Sequence, residues 1–115
     1  MLAKETVDFL RKLEKNNNRD WFNANKQAFI KANDNVIAMT GDLVNRIAKF
    51  DSAVAGFDPK SGIFRIYRDV RFSKDKSPYK TNLGAFIAPG GKKAMAPGYY
   101  FHVQPKMFFA AAGKH

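Results

Sequence analysis

The sequence predicts an α+β domain: two amino-terminal helices, one of them long, followed by a mainly antiparallel sheet of three to four strands. Helical periodicity fills the first half of the 115 residues, and strand-like alternation fills the second half. The charge follows the same division. Residues 1–59 carry nine Lys and Arg against eight Asp and Glu, whereas residues 60–115 carry eleven against two. A chain of this length is expected to form a single domain over residues 1–115.

The first predicted helix is short and covers about residues 6–14. Phe9, Leu10 and Leu13 are spaced so that they form one apolar stripe, which the helix would bury. Three consecutive asparagines follow the stripe and are expected to end the helix.

The second predicted helix begins after Asn18, which can cap it, with Asp20 in the first turn. From there apolar positions recur at steps of three to four residues, which predicts one continuous helix of about eight turns. Gly41 lies inside this helix and costs about 1 kcal/mol relative to Ala, so a kink or close packing is expected there. The apolar face consists of Trp21, Asn25, Ala28, Phe29, Ala32, Val36, Met39, Leu43, Ile47 and Phe50.

The second half begins with a connection, because residues 51–62 contain Gly and Asp-Pro turn signals. The loop predicted at 73–82 is longer than ordinary hairpin loops of about two to five residues, which favours a functional role. In the third strand, Tyr100, His102 and Gln104 share one face. The strands themselves are predicted at 63–72, 83–88, 99–104 and 107–112.

The first predicted strand, 63–72, carries the candidate site. Alternation places Arg65, Tyr67, Asp69 and Arg71 on one face, about 7 Å apart, opposite a face of apolar residues. Two guanidiniums, a phenol and a carboxylate in one row indicate a binding site rather than a solvated edge. Arg68 falls on the apolar face, so the strand either bulges there or buries Arg68 against an acid, Asp20 or Asp75.

The segment FRIYRDVRFSKDKSPYKTN at 64–82, followed by PGG at 89–91 and PGYY at 97–100, resembles a microbial family catalogued as domain of unknown function 2461. NNNRDWF at 16–22 and the pair Asn25-Lys26 resemble the amino-terminal signature of the same family. The resemblance implies an α+β fold without a settled activity, substrate or cofactor. Members of the family continue past the equivalent of residue 115. The chain is therefore expected to be the amino-terminal part of a longer domain, with an exposed sheet edge that could pair in a homodimer.

Several function classes are excluded by what the sequence lacks. It has no serine-nucleophile elbow, phosphate-binding P-loop, dinucleotide-binding motif, zinc-protease motif or cysteine. With two histidines, and only two carboxylates in the basic half, we expect no bound metal and no cofactor. The absence of cysteine and of a long apolar run predicts a cytoplasmic protein with no membrane partner.

The basic half indicates an anion-binding domain, because its arginines are interleaved with strand aromatics. The expected ligand is a small molecule that carries phosphate or carboxylate. The resemblance implies that Arg19 and Asn25, at the start of the second helix, reach the same site, whereas sequence physics alone favours capping and packing for this helix start. The other predicted ligand-binding residues are Arg65, Tyr67, Arg68, Arg71, Lys74, Lys76 and Lys80.

Two alternatives stay open. In the first, the domain is an enzyme in which Asp69 or Asp75 acts as a base and Tyr79 or His102 as its proton partner. Each acid could instead simply pair with a neighbouring Arg, since a carboxylate among six cations stays ionised and is a weak base. In the second alternative, the domain contacts nucleic acid backbone non-specifically, and cations elsewhere in the basic half contribute, namely Lys92, Lys93 and Lys106.

Overall fold

The computed structural model describes residues 2–89 and 98–113, and it is an α+β domain with its helices first and its antiparallel sheet second. That predicted order is confirmed. Within the described residues, no helix combines the length and the hydropathy that crossing a bilayer requires. The elements are α1 (Lys4–Lys15), α2 (Arg19–Ala24), α3 (Lys26–Ile47), a 3-10 turn (Ser52–Val54), α4 (Pro59–Gly62), β1 (Leu83–Ile87), β2 (Gly98–Gln104) and β3 (Met107–Gly113).

Helix α1 buries the predicted stripe, because Phe9, Leu10 and Leu13 are almost fully inaccessible to solvent. Its first turn is attached to α3 through Asn35. The Asn35 Oδ1 atom accepts hydrogen bonds from the backbone N–H of Ala3 (2.9 Å) and from the hydroxyl of Thr6 (2.7 Å). The two helices therefore pack as one unit against the sheet.

The predicted single long helix is wrong, because the chain breaks at Asn25 into α2 and α3. The cap at Asn18 is confirmed, since its side chain accepts the N–H of Trp21 at 2.8 Å. At Asn25 the backbone leaves the helical region (φ −114°, ψ 24°), and the carbonyl of Trp21 accepts both the backbone N–H of Asn25 at 3.0 Å and its side-chain amide at 2.9 Å. Helix α3 then ends at Ile47, and Phe50 is 75% exposed rather than part of the apolar face.

The sheet has the strand order β1-β2-β3 with antiparallel neighbours. Leu83 pairs with Val103 and Ala85 with Phe101, and these four side chains belong to the core that the helices cover. The alternate pair, Gly84 and His102, belongs to the opposite face of the sheet.

The strand predicted over 63–72 is wrong. This segment makes only two isolated bridges, Ile63 with Ala85 and Tyr67 with Tyr79. Its start pairs with β1, through a hydrogen bond from the N–H of Phe64 to the carbonyl of Gly84 at 3.1 Å. Its next part pairs with residues 78–80, where the N–H of Arg68 donates to the carbonyl of Pro78 at 3.0 Å. Because the partner changes along the segment, no continuous ladder forms and the row of side chains expected on one face is lost.

Candidate functional site

The structure divides most of the predicted ligand-binding residues into three groups. One group lies within the loop 68–78 and holds that loop in shape. A second group borders a cluster of aromatic rings where α2 meets residues 65–67. The third lines a polar groove between the end of α1 and residues 75–82.

Arg68 belongs to the loop group. Its Nη1 atom donates to the carbonyls of Ser77 at 2.9 Å and Asp75 at 3.4 Å, and it lies 3.4 Å from the Asp75 carboxylate. The predicted pairing with Asp75 is therefore confirmed. The predicted burial is not, since 28% of the Arg68 side chain is exposed. Because this guanidinium donates hydrogen bonds to carbonyls of the loop, it holds the loop backbone in place.

Arg71 and Lys76 also form their hydrogen bonds within this loop. Arg71 donates to Asp69 through Nη2 at 2.9 Å and Nε at 3.1 Å, a two-point ion pair on the surface. Lys76 donates from Nζ to the carbonyl of Val70 at 2.6 Å. The charge of Arg71 is balanced locally, so Arg71 does not join Arg65 in the row that strand alternation predicted.

The two candidate carboxylates carry lowered pKa values. Hydrogen bonds from Arg71 lower the pKa of Asp69. For Asp75, hydrogen bonds from the hydroxyl and N–H of Ser77 lower the pKa most, and the charge of Arg68 adds to them. A carboxylate with a lowered pKa is a weaker base, so this geometry does not favour either acid as a general base.

Tyr79 and His102 occupy separate surroundings. Tyr79 is buried and stacks on Phe22 with ring centroids 4.1 Å apart, and this burial raises the pKa of its phenol. His102 lies on β2, where Nδ1 contacts the Tyr100 hydroxyl at 2.9 Å and Nε2 contacts Oε1 of Gln104. Because an amide oxygen only accepts, Nε2 is the donor to Gln104. The predicted shared face of these three β2 residues is confirmed.

The second group forms what we call the cation–aromatic surface. Phe22, which is itself buried, lies beneath this surface, with its ring centroid 4.1 Å from that of the buried Tyr79 and 6.4 Å from that of the half-exposed Tyr67. Cations border these rings. The surface consists of Phe22, Tyr67, Tyr79, Arg19, Lys26 and Arg65.

Each cation of this surface has a defined relation to a ring. The Lys26 ammonium lies 5.5 Å from the Phe22 centroid, and the Arg65 guanidinium carbon lies 5.6 Å from the Tyr67 centroid. The charge of Arg19 acts on Tyr79, whose pKa it lowers against the larger effect of burial. All three cations are exposed, and none forms an ion pair within residues 2–89 and 98–113. Unlike Arg71, they carry positive charge that no carboxylate of the described chain offsets.

Asn17 holds this surface together. Its side-chain amide donates to the carbonyl of Tyr79 at 2.8 Å, and its Oδ1 atom accepts the N–H of Tyr79 at 3.1 Å. The turn between α1 and α2 is thereby attached to a segment 62 residues further along the chain. The sequence predicted only that Asn17 helps to end a helix, because nothing in a run of asparagines shows such a distant partner.

We expect Asn17→Ala to lower the free energy of unfolding by about 1–2 kcal/mol, because it leaves two half-buried backbone groups of Tyr79 unpaired. Urea unfolding measures this loss. Asn23→Ala is the matched control, since Asn23 is exposed on α2 and the same replacement there removes no long-range contact. Equal losses in the two variants would contradict the assigned role of Asn17.

The third group lines a groove of about 540 Å³ beside the loop. It contains two acids, Glu14 and Asp75, as well as two cations, Arg68 and Lys80. Because the signs are mixed and Arg68 is already paired with Asp75, the groove is less suited to an anion than the cation–aromatic surface. The remaining lining residues are Asn17, Ser77, Tyr79, Thr81 and Asn82. The groove brings together Asp75 and Tyr79 of the candidate catalytic residues, but not Asp69 or His102.

Some predicted residues lie away from all three groups. Asn25 bonds to its own turn and lines a separate cleft of about 300 Å³ with Trp21 and Phe9. Lys74 is exposed on the loop, and Lys92 and Lys93 lie outside the described residues. Among the residues that the structure describes, no three His, Asp or Glu side chains gather into a set that could hold a metal ion.

The fold and the site define a small, strongly basic α+β domain with an exposed group of unpaired cations around aromatic rings. The chain belongs to the family described as Conserved hypothetical protein (DUF2461), whose family model matches residues 5–115. The resemblance stated from the signature segments is thereby confirmed. No curated protein and no solved structure matches the chain.

Proposed function

We propose that this domain binds a small molecule carrying phosphate or carboxylate, and that it does so at the cation–aromatic surface. Arg65, Lys26 and Arg19 bind the anionic group, and Tyr67, a half-exposed residue, adds its hydroxyl as a neutral donor. One observation carries the proposal: Lys26 of α3 and Arg65 of the 63–67 segment lie beside rings of one aromatic cluster, without a carboxylate partner in the described chain. The charge of Arg19 on α2, which acts on Tyr79 of the same cluster, adds to them.

The aromatic rings supply the positioning that such a site needs. A cation over a ring is attracted to the face of that ring, typically by about 0.5–1 kcal/mol at exposed positions, which restricts its side chain. The guanidinium of Arg65 still presents its N–H edges to an anion, in a geometry that suits two oxygens at once. The excess of positive charge over residues 60–115 raises the local concentration of anions around the surface.

The enzymatic alternative has less support. Both candidate bases are held as stable carboxylates by hydrogen bonds, and neither belongs to the surface where the unpaired cations lie. Binding at that surface requires no such base, so the proposal contains no reaction step.

We expect Arg65→Ala to weaken the binding of inorganic phosphate at least about tenfold, because it removes a charge-assisted contact worth about 1.5–3 kcal/mol. Calorimetric titration of the wild type and the variant with phosphate, and then with nucleotides, measures this loss.

Arg46→Ala is the control, since it removes the same charge from an exposed position in the last turn of α3. Arg71→Ala is expected to have little effect as well, because Asp69 already offsets that charge. The proposal is wrong if Arg65→Ala binds phosphate like the wild type, or if Arg46→Ala loses as much affinity as Arg65→Ala.

A further inference from the structure

Residues 65–72 present two exposed aromatic rings, each with an arginine beside it. Phe72 is 96% exposed, and the Arg71 guanidinium carbon lies 5.7 Å from its ring centroid. Tyr67 is 47% exposed, with Arg65 at 5.6 Å. The first pair lies on the loop outside the cation–aromatic surface, and the second pair lies within that surface.

The loop that carries Phe72 is held in one shape. Arg68 and Lys76 donate to backbone carbonyls from both sides of it, at Ser77 and Val70. The ring of Phe72 is therefore displayed on a fixed loop, although the part of the chain that the structure describes covers almost none of it. Lys74 and Lys76 lie on the same loop and have no carboxylate partner among the described residues, so the loop keeps positive charge beyond its Arg68–Asp75 and Arg71–Asp69 pairs.

We propose that residues 65–72 bind single-stranded nucleic acid, with unpaired bases stacking on Tyr67 and Phe72 and phosphates contacting Arg65 and the loop lysines Lys74 and Lys76, which have no carboxylate partner in the described chain. The inference rests on the proposed function, because Arg65 and Tyr67 belong to both, and it extends that site to Phe72. Tyr67 and Phe72 are five residues apart in sequence, so their Cα atoms lie at most about 18 Å from each other, a span that a short oligonucleotide covers.

An exposed ring with a cation near it favours single-stranded nucleic acid as the ligand. A base has an apolar face that stacks on an aromatic side chain whatever its sequence, and a flexible backbone brings phosphate to the neighbouring cations. Paired bases in a duplex do not offer that face, so single strands are favoured. An anionic membrane is the weaker alternative. One inserted phenylalanine contributes too little, since even a single myristoyl chain gives only marginal membrane binding.

The test measures the binding of a short fluorescent oligo(dT) by anisotropy. We expect Phe72→Ala to weaken this binding about tenfold and to leave the binding of inorganic phosphate unchanged. Phe50→Ala is the matched control, because Phe50 is 75% exposed and its ring contacts Tyr99 rather than a cation. Folding is not at risk in either variant, since both side chains are exposed.

The outcomes separate this inference from the proposed function. If Arg65→Ala loses phosphate but Phe72→Ala binds oligo(dT) like the wild type, the proposed function stands and the inference is overturned. If the oligonucleotide depends on Phe72 while phosphate binding does not depend on Arg65, the inference stands and the small-anion site is wrong. Duplex bound as tightly as oligo(dT), or Phe72-dependent binding only to anionic lipid vesicles, overturns the inference.

Discussion

Phe22→Ala is expected to lower the free energy of unfolding by about 3–5 kcal/mol, the usual range for removing a fully buried phenylalanine. Phe22 is 1% exposed, and its ring lies against four others. The centroids of Tyr79, Phe29 and Phe9 are 4.1, 5.1 and 6.3 Å away, and that of Tyr67 is 6.4 Å away. A domain of this size has a total stability of only about 5–15 kcal/mol, so the variant is expected to be close to unfolding.

Urea unfolding of this variant is best compared with that of Phe72→Ala. Both changes remove the same side chain, but Phe72 is exposed, so its replacement is expected to alter stability by no more than about 0.5 kcal/mol. Phe22→Leu keeps much of the side-chain volume, so its loss of stability is expected to lie between those of Phe22→Ala and Phe72→Ala. If Phe22→Ala unfolds at the urea concentration that unfolds Phe72→Ala, Phe22 is not the centre of the aromatic cluster.

Patterns among residues that are close in sequence were enough to predict much of the fold. The stripe of Phe9, Leu10 and Leu13 predicted α1, and Asn18 followed by Asp20 predicted where the next helix begins. These features depend on residues that are neighbours along the chain. The order of helices and strands follows from the same kind of periodicity, which is why it was predictable.

The two errors in the fold come from contacts that periodicity does not encode. Asn25 fits the apolar spacing of a long helix, yet its backbone leaves the helical region (ψ 24°) where its side-chain amide also contacts the Trp21 carbonyl, and α2 ends there. Residues 63–72 alternate like a strand, but Phe64 pairs with β1 whereas Arg68 pairs with Pro78. Alternation predicts which side chains would share a face if a ladder existed. It does not show whether one partner strand runs beside the whole segment.

The same limit affected the prediction of the site residues. The sequence predicted Arg65 and Tyr67 as ligand-binding residues, and in the structure Arg65 lies beside the Tyr67 ring, which packs near Phe22. Lys26 was not among the predicted ligand-binding residues, although it belongs to the family signature at the start of the second helix. Strand alternation grouped Arg71 with Arg65, whereas Arg71 pairs with Asp69, two residues away, in the structure.

Gly84→Ala is expected to lower the free energy of unfolding by about 3 kcal/mol, at the upper end of what overpacking usually costs. Gly84 lies on β1 opposite His102, and a Cβ atom there would meet the backbone oxygen of Phe101 at 2.5 Å. A backbone atom in the central strand has no rotamer change by which to move away. The strands must instead separate, and β2 carries the core residues Phe101 and Val103.

Gly41→Ala is the matched variant, and the sign of its effect is expected to be opposite. Gly41 lies inside α3, where Ala is favoured over Gly by about 1 kcal/mol. A Cβ atom there would lie 3.5 Å from Cγ of Pro59, an ordinary van der Waals contact, so the close packing expected from the sequence does not forbid a methyl group. Urea unfolding should therefore move to higher concentration for Gly41→Ala and to lower concentration for Gly84→Ala. Shifts of the same sign would contradict these roles of Gly41 and Gly84. Both changes add one methyl group, but it is added inside a helix in Gly41→Ala and against a backbone oxygen in Gly84→Ala.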